Sequence, residues 1–133
     1  MTLRDDLIKI RDAALEAVNP YRAVQNVLRI EDATVHLGAD ITWELGNCAG
    51  IWLIAAGKAA VPMAQAAVDV LGATLARGVV VTKYEHATDH TLPARFEVIE
   101  AGHPVPDEAG LEGARAIARL ARKAKAAHRV LVL

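Results

Sequence analysis

The chain is 133 residues long, 53% hydrophobic and 23% charged, with a formal net charge of -1 at pH 7. That length suits one domain with a buried core, on a prior of roughly 100–200 residues per domain, and the near-neutral charge excludes a general attraction to nucleic acid or an anionic membrane. A single cysteine, Cys48, excludes an internal disulfide and fits a reducing cytosol.

Residues 1–15 mix acids and bases and lack the apolar core of a signal peptide, and no window reaches the roughly 18 apolar residues of a membrane span. A soluble cytoplasmic protein is expected. Leu3, Leu7, Ile10, Ala14 and Val18 recur at steps of three and four, so residues 3–18 are expected to form an amphipathic helix. Asn19-Pro20 resets the chain, with Asn19 as N-cap and Pro20 opening a second helix that runs to about Leu28. These two helices are expected to cover a sheet or pack beside it. Thr34–Leu37 is expected as a short edge strand, turned back at Gly38-Ala39-Asp40 into Ile41–Trp43.

Residues 51–72 organise the rest. The apolar run Ile51–Ala56, bounded by Gly50 and Gly57, is too short for a lone helix and fits a fully buried strand of a parallel sheet. A helix follows at once, with Ala59, Met63, Ala66, Ala67 and Val70 on its buried face and Lys58 in its first turn. Residues 77–82 form a second core strand, β-branched at four of its six positions, followed by the polar loop 83–90. Residues 96–100 form a third strand. After Pro106, Asp107 caps a helix whose buried side carries Leu111, Ala114, Ile117, Leu120, Ala121 and Ala124, and whose end is basic at Arg119, Arg122, Lys123 and Lys125. Residues 129–133 begin a fourth strand. Strands alternating with helices give an α/β class: a Rossmann-like parallel sheet flanked by helices, truncated within its fourth core strand.

Ligands of open parallel sheets collect beyond the carboxyl ends of the strands. Those ends hold Gly57-Lys58, then Thr82-Lys83 with His86 beyond, then Gly102-His103. Lysines and histidines around a glycine turn and a helix N-terminus suit a phosphate or carboxylate ligand. Several standard motifs fail. A P-loop would need glycine at Trp52 and a hydroxyl at Ala59. A dinucleotide fingerprint would need glycines at 55, 57 and 60, where only Gly57 is one, although alanine is tolerated at 60. His86 and His90 form an H-x-x-x-H pair in a loop, without the context of a zinc site, so no metal ligand is assigned. Cys48 is expected to be inert, the basic run 115–129 to be a solvated helix end, and His36 and His128 to be surface or edge residues.

Three stretches taken together, Ala56-Gly57-Lys58-Ala59-Ala60 with Met63-Ala64, Val80-Val81-Thr82-Lys83-Tyr84, and Glu100-Ala101-Gly102-His103-Pro104-Val105-Pro106-Asp107, resemble the N-terminal domain of the glycerate 2-kinases whose C-terminal half carries the MOFRL domain. Some members of that group carry the label hydroxypyruvate reductase. The resemblance spans nearly the whole chain, so residues 1–133 are expected to be a partial N-terminal domain without its C-terminal partner. It implies ATP-dependent, Mg2+-assisted phosphorylation of glycerate at its 2-hydroxyl, in a cleft between two domains. Lys58 matches the family's active-site lysine. Gly57, Lys83, His86 and His103 are then expected to bind substrate or nucleotide. Two residues depart from the pattern: Ala55 stands where a glycine is expected before the turn, and Glu85 where a glycine is expected in the loop after Tyr84. The half-built cleft is expected to be inactive alone. Two alternatives stand beside this: a nicotinamide-dependent reductase domain, and a non-catalytic α/β module that forms a homodimer through the open edge of its last strand.

Overall fold

A computed structural model of the chain describes residues 2–88 and 91–133. Helix α1 (Leu3–Ala17) opens on a capping box in which the Thr2 hydroxyl accepts from the Asp5 N–H and the Asp5 carboxylate accepts from the Thr2 N–H. Helix α2 (Pro20–Val27) starts as its sequence dictates: the Asn19 side chain accepts from the N–H groups of Tyr21 and Arg22, and proline occupies the position whose N–H is dispensable.

The chain then forms an antiparallel sheet of three strands, β1 (Leu28–Glu31), β2 (Thr34–Leu37) and β3 (Ile41–Glu44), in the order β1-β2-β3. The sequence reading missed β1 and placed β2 at an edge. Leu28, assigned there to the end of α2, instead begins β1, which pairs Leu28 with Leu37 and Ile30 with Val35. Residues 28–31 alternate apolar and polar, but four residues directly after a helix are too few to separate a strand from a fraying helix end.

The rest is a parallel sheet of four strands: β4 (Gly50–Ala56), β5 (Leu75–Lys83), β6 (Phe96–Ala101) and β7 (His128–Val132), in the order β6-β5-β4-β7. Helix α3 (Ala60–Leu71) links β4 to β5 on one face, and α4 (Glu108–Lys123) links β6 to β7 on the other. Between β4 and β7 the direction of winding therefore reverses. Leu53, in the middle strand β4, is fully buried and pairs with Gly78 of β5 and Leu131 of β7.

Helix α2 lies against α3, where the Tyr21 hydroxyl donates to Asp69 Oδ2 at 2.6 Å. Helix α1 does not cover the sheet as expected, since none of its residues is buried. The buried face of α4 is only partly the expected one. Leu120 is buried and Ile117 and Ala124 pack against the core, but the face turns toward Gly113 and Ala116, and Leu111, Ala114 and Ala121 are exposed. Gly113 explains the rotation: a Cβ there would meet the Val81 methyls at 2.9 Å, so the helix presses its smallest residue onto β5. A face chosen by hydrophobicity overlooks a face chosen by close approach.

Candidate active site

The carboxyl ends of β4, β5 and β6 lie side by side, and the loops that follow them are tied together. After Ala56 the chain turns at Gly57, whose φ of +120° lies in a region that L side chains rarely adopt. Added side-chain bulk would meet nothing within 4 Å, so glycine is needed here for conformation and not for space. The Gly57 N–H donates to Val81 O at 2.9 Å and fixes the turn against β5. Lys58 sits in this turn, exposed, ahead of α3 rather than inside its first turn; the helix begins at Ala60 and has no side-chain cap. The anion seat is therefore poorer in backbone donors than the sequence suggested. The Ala60 N–H is engaged by Gly57 O at 3.2 Å, and Pro62 has none.

Lys83 is the last residue of β5 and is half-buried. Three residues on, His86 Nδ1 lies 3.3 Å from the carbonyl oxygen of Lys58, which joins the second loop to the first. Glu85, between them, has a φ of +65°, a left-handed conformation that glycine adopts without cost. The glycine expected at this position thus has a backbone reason. Glu100, at the end of β6, accepts at Oε1 from the N–H groups of both His86 and Ala87 at 3.0 Å. A cavity of about 300 Å³ lined by Val61, Ala87, Thr91, Leu92 and Val98 lies behind this loop. His90, considered with His86 in the sequence, lies outside the described residues.

His103 is exposed in the loop after β6, at a cis bond to Pro104. That loop is held by Asp107. Its Oδ2 accepts from the Tyr84 hydroxyl at 2.7 Å and from the Gly102 N–H at 3.0 Å, and its Oδ1 accepts from the Gly110 N–H at 2.9 Å. The Tyr84 hydroxyl, then the N–H groups of Gly110 and Gly102, hold the Asp107 carboxyl below its ordinary value. The same bond to Asp107, with desolvation and nearby negative charge, raises the Tyr84 phenol.

The structure thus brings Gly57, Lys58, Lys83 and His86 together and leaves His103 one loop further along. Sequence reasoning missed Glu100 as a loop anchor and saw Asp107 only as a helix cap. One signal was available: a carboxylate at the end of a strand, facing a polar loop with free N–H groups. Thr82, which the sequence places at this strand end, is 3% exposed and its hydroxyl has no partner among the described residues. It lies one residue before Lys83.

The profile of a family described as a domain of unknown function, DUF4147, matches residues 6–133. The chain belongs to the DUF4147 family. It is 34% identical over 133 residues to the glycerate 2-kinase of Pyrococcus horikoshii, across all of this chain and 28% of that protein. A crystal structure of the glycerate kinase of Thermotoga maritima superposes with a TM-score of 0.73 at 36% identity, over 98% of this chain and 27% of that one. An Agrobacterium vitis protein provisionally named a hydroxypyruvate reductase is 37% identical over 119 residues, 88% of this chain and 23% of that protein. This DUF4147 chain therefore spans about a quarter of the length of these relatives. Among the described residues no helix is long and apolar enough to cross a membrane.

Proposed function

We propose that this chain forms one wall of a glycerate 2-kinase active site in a longer cytoplasmic enzyme with a Rossmann-like domain, with Lys58 as the catalytic cation and ATP as the phosphoryl donor. The observation that carries the reading is the junction of the Gly57-Lys58 turn with the His86 loop at the ends of adjacent strands, in a chain similar along its length to a protein named glycerate 2-kinase. The backbone of Lys58 is held at Gly57 N and Lys58 O, so only the side chain is free to move. A fixed turn bearing one long cation can follow the charge that develops on a transferring phosphoryl group, or hold the carboxylate of glycerate.

Lys83 adds a second cation at the end of β5, and His86 and His103 stand at the rim as binding groups. The residues present fit a phosphate. They offer no set of three His, Cys, Asp or Glu able to hold a metal ion among the described residues, so Mg2+ would ride on the nucleotide phosphates and neutralise their charge. The second wall of the cleft is proposed to lie in the part of the relatives that this chain does not span. It would exclude water and align the two substrates. The reductase alternative has less support: Ala55 is fully buried where a dinucleotide fingerprint would place its first glycine.

The test is a chimera in which these 133 residues replace the matching segment of the Pyrococcus horikoshii enzyme, assayed by glycerate-dependent ADP release. The chimera is expected to turn over, Lys58→Ala to lower kcat by about 10²–10³-fold, and the 133-residue chain alone to be inactive. A Lys58→Ala chimera that works at the parent rate would overturn the assignment.

A further inference from the structure

At the other end of the parallel sheet lies a second concave feature. A cleft of about 350 Å³ opens between β5, β6 and the last turns of α4, with Gly78, Val79, Ala116 and Leu120 as its floor. Its rim carries Arg77, Arg95, Arg119 and Lys123 against one carboxylate, Glu97. In the sequence, Arg119 and Lys123 are explained by the negative end of the helix dipole. That explanation does not reach Arg77 and Arg95, which come from β5 and from the segment before β6.

Two of these cations are held in place. The Arg77 guanidinium sits 4.8 Å from the centre of the Trp52 ring. Arg95 donates from Nε to Leu75 O at 2.7 Å and from Nη2 to Gly72 O at 2.9 Å, and it also lies over Phe96. Arg119 is shared between Glu97 at 3.6 Å and Glu112 at 2.9 Å. Arg77, Arg95 and Lys123 have no carboxylate partner among the described residues. Cations held by carbonyls and a ring leave their charge for a ligand to neutralise. A volume of this size suits a small molecule.

We propose that this cleft is a binding site for a phosphorylated small molecule, built by Arg77, Arg95 and Lys123 over an apolar floor. It is separate from Lys58: the run of β5 from Arg77 to Lys83 places the two about 20 Å apart, at roughly 3.3 Å per residue.

The test is titration of the chain with inorganic pyrophosphate at constant ionic strength, read by amide NMR shifts. Saturable shifts are expected at Gly78, Val79, Arg119 and Leu120. Combining Arg77→Ala with Lys123→Ala is expected to weaken that binding at least about tenfold, since charge-assisted bonds are lost. Glu97→Gln, which keeps the shape and removes the repelling charge, is expected to tighten it, and Lys58→Ala to leave it unchanged. Shifts that fail to saturate, shifts confined to Gly57 and Lys58, or a double variant that binds like the parent would overturn the proposal. So would a single-stranded oligonucleotide that binds the cleft more tightly than pyrophosphate.

Discussion

Helices α1 and α3 are both written with apolar residues at helical spacing, and they end in opposite environments. α3 presses Ala60, Val61, Ala64, Ala66, Ala67 and Leu71 into the core. α1 buries nothing, and its Leu3, Leu7 and Ile10 are 76%, 58% and 66% exposed. The difference lies in connection more than in composition. α3 is joined at both ends to neighbouring parallel strands, so the right-handed crossover lays it on the sheet. α1 runs into the Asn19-Pro20 break and has no such tether. Periodicity identifies a helix; what it packs against comes from the elements on either side.

The largest effect should come from the buried side of this comparison. Leu53 lies at the centre of β4 with no exposed surface. Leu53→Ala is expected to cost about 3 kcal/mol, the lost transfer energy of the side chain plus the cavity it leaves. Urea denaturation followed by far-UV circular dichroism reads this directly. A loss below about 1 kcal/mol, the range of well-tolerated swaps, would mean that the sheet interior repacks freely and is no more of a core than α1.

A smaller effect separates two aspartates that the same physics treats alike. Both Asp5 and Asp107 have carboxyls held below the ordinary value, Asp5 by backbone and side-chain bonds to Thr2 and Asp107 by Tyr84, Gly110 and Gly102. Asp5 bonds only three residues away, within α1's own cap. Asp107 joins the β5 loop, the β6 loop and α4. A depressed folded value means that each carboxylate stabilises fully above its unfolded value of about 4 and loses that contribution as pH falls through the lower folded value. Acidification from neutral pH should therefore lower the parent's unfolding midpoint more than that of Asp107→Asn, which keeps a capping side chain without the charge. Asp5→Asn should reduce the acid response of the midpoint in the same direction but by less, because its bonds close only α1's own cap. Equal responses from the parent and Asp107→Asn would show that the Tyr84–Asp107–Gly102 tie does not hold the strand-end loops.

This contrast also explains what could be read from the sequence and what could not. The four parallel strands, the caps at Asn19 and Asp107 and the cluster of Gly57, Lys58, Lys83 and His86 at the strand ends rest on local pattern or on the strand-end rule, and all were legible. The part of α4's face at Gly113 and Ala116 was not, because Gly113 packs by being small. Nor was β1, whose partner Leu37 lies nine residues beyond Leu28. Glu100 was read as a strand residue because its role depends on N–H groups of a loop fourteen residues before it. The basic cleft was invisible for the same reason: Arg77, Arg95 and Lys123 meet only when β5, β6 and α4 are laid together.

The smallest expected effect completes the comparison. Leu7→Ala removes a side chain that is 58% exposed on a helix with no buried residue. Leucine and alanine have similar helix propensities, so α1 itself is not weakened. Unfolding stability should change by no more than about 0.5 kcal/mol, as for surface positions generally. Against Leu53→Ala, that result would fix the boundary of the cooperative core between α1 and the elements that follow it. A loss of about 2 kcal/mol or more, of the size seen for buried leucines, would mean that α1 is covered in solution. If that loss grew with protein concentration, the cover would be a second copy of the chain, because only association makes stability depend on concentration. A loss independent of concentration would place α1 against its own domain and remove the distinction between the two helices.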